Sequence, residues 1–240
     1  MDKISITKIV SNAFIIPWNN LFFYSRVLSI PIIILVSVWA IWINLAIYSP
    51  FISSLGFFVY CAAFAYLAIT CHKLILTKNK TFNQLLTIDI KIFIRFIIFA
   101  TIVYTLSLIV RLIIVNVYVN TFSDNTQPDS TLEIAEYIAY LPSMYIISRF
   151  CIIFPAVALG YKPKLAWAWN ATRKFHLHIL FIVALFPWAL EIIIYALSRE
   201  DSTLIEQSVI TLLTYISTVI GVFAISLTYN ELYEIQLNNL

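Results

Sequence analysis

The sequence predicts an all-α protein: a polytopic membrane bundle of six transmembrane helices, preceded by an N-terminal amphipathic surface helix. Of the 240 residues, 62% are hydrophobic and 11% are charged, whereas a soluble domain has about 25% charged residues. Six apolar segments reach the roughly 20 residues that a helix needs to cross the hydrocarbon core. Basic residues cluster in alternate connections between these segments. These three observations together predict insertion in a membrane and a defined orientation.

The N-terminal segment, residues 1–26, is predicted to lie on the membrane surface, separate from the transmembrane domain of residues 27–240. Its apolar residues recur with the helical period on one face, and lysines and small polar residues occupy the other face. Amphipathic helices of this kind lie in the membrane interface. Packing on the bundle without touching lipid is the alternative. Pro17, followed by Asn19 and Asn20, predicts a break before residue 21.

The six predicted spans are apolar runs bounded by polar residues or proline. They cover residues 27–49, 51–76, 92–119, 132–159, 177–197 and 208–229. Only Pro50 separates the first two spans, so they must form a tight antiparallel hairpin. Glu133 and Glu136 begin the fourth span, where acidic side chains complement the positive end of the helix dipole.

The distribution of basic residues predicts that both termini lie in the cytoplasm. Six spans place the two termini on the same side, and the side with the excess of Lys and Arg is the cytoplasmic one. Twelve basic residues fall on the side of the termini, and only Arg199 falls on the other side. The predicted location is therefore the cytoplasmic (inner) membrane, as a multi-pass protein.

Arg111, Arg149 and Glu191 lie within the apolar runs of the predicted spans, and a charge costs about 2.5–3.5 kcal/mol to insert near the bilayer centre. Counting along the helices gives Arg111 and Glu191 similar depths toward the outer surface, so they are a candidate ion pair. Arg149 lies about 15 Å from the inner end of its span. Its predicted partners are groups at the end of the sixth span, such as Glu231. A polar site between helices, a structural pair and snorkelling to the surface are the alternatives for these side chains.

A second group of candidate residues lies on the predicted inner surface, in segment 162–174 and around residues 72–95. Aromatic and histidine side chains stand beside cations there, which is typical of contact with anionic lipid headgroups. The candidate residues for contact with lipid or a partner are Trp167, Trp169, Arg173, Lys174, His72, Lys73 and Arg95. Docking of a protein partner within a membrane complex, as by a coupling helix, is the alternative.

Several functions find no support in the sequence. Three glycines leave no glycine-rich phosphate loop, and a net charge of +3 is too small to indicate nucleic-acid binding. His176 and His178 are two residues apart, unlike the i, i+4 pair of a helical metal site. Apart from Glu133 and Glu136 in the first turn of the fourth span, no paired carboxylates occur within a span, and no nucleophile–histidine–acid arrangement occurs there. We therefore expect no catalytic residue, no metal and no cofactor.

The inner halves of the spans resemble a family of six-span bacterial inner-membrane proteins. The resemblance rests on residues 71–76 and 91–96, on Arg149 with Gly160 in the fourth span, and on the tyrosine-containing stretch 226–233. This family is related in architecture to YciC-like proteins and to the membrane domain of glycerophosphodiesterases. The resemblance implies a six-helix fold and an inner-membrane location, and it implies no activity.

The predicted function is that of a non-enzymatic membrane component, concerned with envelope lipid or with a larger membrane complex. The alternative is a small transporter or a permease subunit that works with a separate ATPase. Pro142, Pro155 and Pro187 lie inside spans, and broken helices mark many transporter sites. A water-filled cavity reaching Arg149 favours transport, whereas a dry core favours the first prediction.

Overall fold

The computed structural model describes residues 4–45, 49–77, 81–122, 128–197 and 204–238. These ranges are almost entirely helical and contain no strand. Six of the described helical segments are long and apolar enough to cross a membrane. The predicted all-α polytopic membrane bundle is therefore confirmed.

The helices of these ranges follow one another along the chain with short connections. They are α1 (Ile6–Asn19), α2 (Leu21–Leu45), α3 (Pro50–Leu76), α4 (Phe82–Leu86), α5 (Ile90–Phe122), α6 (Pro128–Phe150), α7 (Ile153–Ala158), α8 (Leu165–Ala171), α9 (His176–Leu180), α10 (Phe186–Leu197) and α11 (Leu204–Asn238). A 3₁₀ turn (Arg173–Phe175) precedes α9, and a π-helical turn (Phe181–Leu185) joins α9 to α10.

The predicted break before residue 21 is confirmed. Helix α1 ends at Asn19, and α2 begins at Leu21, earlier than the predicted residue 27. The earlier start places Arg26 inside the helix, where its guanidinium stands 5.1 Å from the centre of the Phe82 ring. This cation–π contact offsets part of the cost of the charge near the membrane.

Helix α1 both packs on the bundle and exposes apolar side chains. Ile9 and Ala13 are buried, and the Lys8 ammonium lies 3.1 Å from the carboxylate of Glu231 on α11. Trp18, near the end of the same helix, is 75% exposed. The helix therefore has one face against α11 and another available to the interface.

The packed core lies in one half of the bundle, the half that carries most of the basic residues. Buried side chains concentrate in residues 63–74 of α3, in residues 148–158 of α6 and α7, and in residues 219–232 of α11. In the opposite half, large apolar side chains such as Phe51 and Leu112 are exposed. Hydrocarbon is as apolar as these side chains, so exposing them to lipid carries little cost.

The fourth span, predicted over residues 132–159, is interrupted near its end in the structure. Helix α6 ends at Phe150, a turn follows at Cys151 and Ile152, and α7 continues to Ala158. Pro155 lacks the N–H that would bond to the Cys151 carbonyl four residues earlier, and the Phe154 N–H donates to that oxygen instead, at 3.2 Å. The break lets α7 pack against α3 and α5.

The fifth span contains a π-helical turn immediately before Pro187. The Phe186 N–H donates to the carbonyl of Phe181, five residues earlier, because Pro187 has no N–H to continue the α-helical ladder. The prediction that prolines interrupt spans is thus confirmed at Pro155 and Pro187. At Pro142, by contrast, α6 continues as a helix.

Candidate functional site

A cleft of about 390 Å³ opens at the basic end of the bundle, between the ends of the fourth and sixth spans. Its floor includes Ala156 of α7. Its walls come from the loop of residues 161–164, from Trp167 of α8, and from Tyr229 and Tyr233 of α11. We call this feature the basic cleft. Its volume falls within the range of about 300–1,000 Å³ typical of small-molecule sites.

The loop of the basic cleft is set by the way α7 ends. Gly160 has φ +91°, a left-handed conformation that favours glycine. Its N–H donates to Val157 at 2.9 Å, and the Tyr161 N–H donates to Ala156 at 3.0 Å. This pair of bonds is the Schellman motif of a helix C-terminus. The chain therefore reverses sharply after α7 and brings residues 161–164 over the end of α11.

An arginine on a neighbouring helix holds the loop in place. Arg95 on α5 donates from Nη1 to the backbone oxygen of Tyr161 at 3.2 Å. Arg95 was predicted to contact lipid or a partner, and its observed contact is with this loop. The guanidinium remains partly exposed, so it also adds positive charge beside the cleft.

One wall of the basic cleft is aromatic. The rings of Trp167 and Tyr229 lie 6.5 Å apart at 63°, and Tyr229 stacks on Tyr233 at 6.1 Å with an interplanar angle of 16°. Tyr229 is almost fully buried, whereas Tyr233 is 42% exposed. The wall therefore presents a packed inner ring and an accessible outer one.

The other wall carries two lysines without acidic partners. Lys162 and Lys164 are both exposed, and no described carboxylate forms an ion pair with either. Of the nearby carboxylates on α11, Glu231 pairs with Lys8. Glu234 accepts a bond from the neutral Asn230 amide at 2.9 Å, and no carboxylate of the described residues lines the cleft. Successive helical residues differ in direction by about 100°, so both carboxylates turn away from Tyr229. The cleft is consequently electropositive.

Arg149 takes its partners from α6 and α8, and Glu231 pairs with Lys8, so the predicted pairing of Arg149 with Glu231 is wrong. Arg149 as a residue is 3% exposed, and its guanidinium stands 4.0 Å from the centre of the Trp169 ring. It donates from Nη2 to the backbone oxygen of Trp169 and from Nη1 to the Tyr145 hydroxyl at 3.2 Å. Helix α8 folds back against the end of α6, and so it supplies these partners before α11 can. Arg149 therefore fixes α8 to α6.

Arg111 also has a partner other than the predicted one. Its guanidinium lies 2.5 Å from the carboxylate of Glu136 on α6, and both side chains are partly exposed. The reason is the packing order: α5 pairs closely with α6, whereas α10, which carries Glu191, packs on α11. The side chain of Glu191 lies outside the described residues.

His72 and Lys73 were predicted to contact lipid or a partner, and the structure places both inside the bundle. His72 is 2% exposed, and its Nδ1 lies 2.8 Å from the Ser226 hydroxyl on α11. The buried Lys73 ammonium donates to the backbone oxygen of Thr87 at 2.8 Å. The end of α3 is surrounded by α4, α7 and α11, so neither side chain reaches a headgroup.

The remaining predicted contact residues lie on the surface beside the basic cleft. Trp169, Arg173 and Lys174 are exposed, and Trp167 is half-buried in the cleft wall. Their positions suit contact with headgroups or with a partner, which stays a prediction. Sequence reasoning did not single out Tyr161, Tyr229 and Tyr233 as site residues. One local signal was the four-residue spacing of Tyr229 and Tyr233, which places both on one helix face.

The described residues contain no group of three His, Cys, Asp or Glu side chains positioned to hold a metal ion.

Fold and site together define a polytopic helical membrane protein with an electropositive, aromatic cleft at one end. Comparisons with protein-family models, with curated proteins and with solved structures find no match. The resemblance to six-span inner-membrane proteins therefore stays a prediction.

Proposed function

We propose that this protein is a non-enzymatic component of the cytoplasmic membrane whose basic end binds anionic lipid headgroups of the inner leaflet. The observation that supports the proposal is the contrast between the two ends of the bundle. At one end, Lys162, Lys164, Arg173 and Lys174 are exposed. Near the other end, Arg111 is neutralised by Glu136.

The separation between these ends suits the two faces of a membrane. Arg95 lies at the basic end and Arg111 lies sixteen residues further along α5, which corresponds to about 24 Å of helix. Anionic headgroups attract basic side chains near the surface by about 1 kcal/mol per residue. Exposed Trp169 adds an amphipathic ring of the kind enriched at headgroup level.

The surroundings of Arg149 favour this proposal over transport. Transport requires a polar pathway that reaches a site between the spans. The Arg149 guanidinium is instead covered by the rings of Trp169 and Tyr145, and Arg149 does not line the basic cleft. The arginine thus stabilises the inner end of the bundle and leaves lipid contact to the exposed lysines.

The proposal predicts greater stability in anionic bilayers. We expect the thermal unfolding midpoint in nanodiscs to rise by about 4 °C or more when part of the phosphatidylcholine is replaced by phosphatidylglycerol. Salt at about 1 M, where the screening length is about 3 Å, should remove most of the increase. Equal midpoints in both lipids at low salt would contradict the proposal.

The proposal also predicts that the termini and the basic end share the cytoplasmic side. A fluorescent protein fused after residue 240 should fluoresce, and alkaline phosphatase fused at the same position should be inactive, because it matures only outside the cytoplasm. The same reporters inserted in the 123–127 connection should give the opposite pattern. Active alkaline phosphatase at the C-terminal fusion would reverse the orientation and place the basic cleft on the wrong leaflet.

A further inference from the structure

We propose that the basic cleft is a discrete binding site for one phosphate-bearing headgroup, the glycerol phosphate of an anionic phospholipid. Lys162 and Lys164 would hold the phosphate, and Trp167 and Tyr233 would contact the glycerol and the first acyl carbons. This inference rests on the proposed function and sharpens it, because it assigns a defined site within a generally basic surface.

The charge of the cleft selects an anion. Two lysines two residues apart stand on one wall, and no described carboxylate pairs with them. Lys162 and Lys164 flank Pro163, whose ring fixes its own φ and limits the freedom of this short loop. The loop is fixed at its start by the Gly160 turn and by the bond from Arg95 to Tyr161. The two ammonium groups are therefore presented from a constrained backbone rather than from a free tail.

The opposite wall selects a ligand that is partly apolar. Tyr229 and Trp167 form a packed aromatic surface, and Tyr233 extends it outward with an accessible ring. A tyrosine hydroxyl can donate to a phosphate oxygen or to a glycerol hydroxyl, while its ring packs against methylene groups. Ala156 adds an apolar side chain to the lining. A free inorganic phosphate would use the lysines but would leave this wall unoccupied.

The location favours a lipid as the source of the phosphate. The cleft lies where the fourth and sixth spans end, which is the level of the headgroups. A phospholipid in the leaflet reaches the cleft with its acyl chains still in hydrocarbon. The chemistry is shared with soluble glycerol phosphate, so the two sources must be separated by experiment.

The test is native mass spectrometry of the protein released from nanodiscs that contain phosphatidylcholine and phosphatidylglycerol. We expect the wild type to retain one phosphatidylglycerol molecule in preference to phosphatidylcholine. The double variant Lys162→Gln/Lys164→Gln should lower the apparent affinity for that lipid by about thirtyfold, the value expected for two surface lysines. Tyr233→Ala should lower retention as well without changing the charge.

The matched control is Arg173→Gln/Lys174→Gln, which removes the same charge from the surface outside the cleft. It should reduce the rise of the unfolding midpoint in anionic nanodiscs and leave the retained lipid in place. Equal loss of retained lipid in both double variants would overturn the discrete site, and the proposed function would stand. Equal unfolding midpoints in anionic and neutral nanodiscs, together with no retained lipid in the wild type, would contradict the proposed function itself.

A second arm identifies the source of the phosphate. Glycerol 3-phosphate is titrated onto the protein in phosphatidylcholine nanodiscs, and binding is followed by tyrosine and tryptophan fluorescence. Weak or absent binding together with a retained phosphatidylglycerol supports the lipid. Tight binding of glycerol 3-phosphate without lipid retention would overturn the lipid source. Binding of neither ligand would overturn the site itself.

Discussion

Arg149→Leu is expected to destabilise the protein by about 2 kcal/mol or more, although it removes a charge from the membrane. Hydrogen bonds to a charged group contribute about 1.5–3 kcal/mol each, and a desolvated cation–π contact contributes about 2 kcal/mol. Arg149 makes two such hydrogen bonds and stacks on Trp169. Removing the charge avoids its cost of insertion, which is only about 2.5–3.5 kcal/mol. The lost contacts therefore outweigh the relief.

The measurement is thermal unfolding in nanodiscs, combined with trypsin cleavage at Arg173 and Lys174. Loss of the anchor should release α8 and speed this cleavage before global unfolding. Arg149→Lys keeps the charge but not the planar fork, so we expect it to be about as unstable as Arg149→Leu. Wild-type stability of the lysine variant would show that charge alone is sufficient. Wild-type stability of the leucine variant would exclude the anchoring role.

Gly56→Ala is expected to lower stability by about 1–3 kcal/mol, the usual cost of overpacking. A Cβ atom at Gly56 would clash with Cδ1 of Trp42 and lie 2.9 Å from Cγ of the same ring. The indole cannot easily move, because it stacks on Tyr60 at 5.7 Å and donates from Nε1 to the Ser53 carbonyl at 2.8 Å. The substitution therefore forces the α2–α3 hairpin apart.

Gly221→Ala is the matched control, since it makes the same change in another transmembrane helix. The nearest atom to a Cβ at Gly221 is Cγ of Pro187, at 3.6 Å, which is ordinary van der Waals contact. Alanine favours a helix over glycine, so the control should be neutral or slightly stabilising. Thermal unfolding of both variants in one lipid decides the comparison. Equal effects at the two positions would refute the steric explanation.

The fold was predictable from the sequence because a membrane imposes a simple length requirement. A run of about 20 apolar residues must form a helix to satisfy its backbone groups. The hairpin around Pro50 and the break after Asn19 followed from proline and polar residues at the ends of such runs. The turn at Cys151 and Ile152 was harder to predict, because Pro155 only excludes one hydrogen bond and tertiary packing decides where the helix bends.

The partners of the buried charges could not be predicted from the sequence. Counting residues along a helix gives depth, but it does not give the order in which helices pack around one another. Glu136 on the fourth span and Glu191 on the fifth are both acidic. The close pairing of α5 with α6 selects Glu136 as the partner of Arg111. The predicted pairing of Arg149 with Glu231 failed because the return of α8 against α6 is a tertiary feature.

The basic cleft could not be predicted from the sequence either, because it depends on how the helices pack. Its lining comes from two stretches that are far apart in the chain: residues 156–167 and the tyrosines of α11. Each segment alone is ordinary for a membrane interface.

Lys73 was wrongly predicted as a contact residue, since its place in a basic turn predicts an exposed side chain. The side chain instead turns inward to Thr87, and composition carries no information about that direction.

The contact between α1 and α11 has a consequence for biosynthesis. The ribosome releases α1 first among the described helices, but the Lys8 partner Glu231 and the α11 surface beneath Ile9 emerge last. The His72–Ser226 bond likewise spans 154 residues. Individual spans can therefore enter the bilayer during translation, while the packed half closes only after α11 arrives. During that interval the amphipathic helix α1 lacks its partner α11. We expect an insertase or chaperone to shield it until α11 is made.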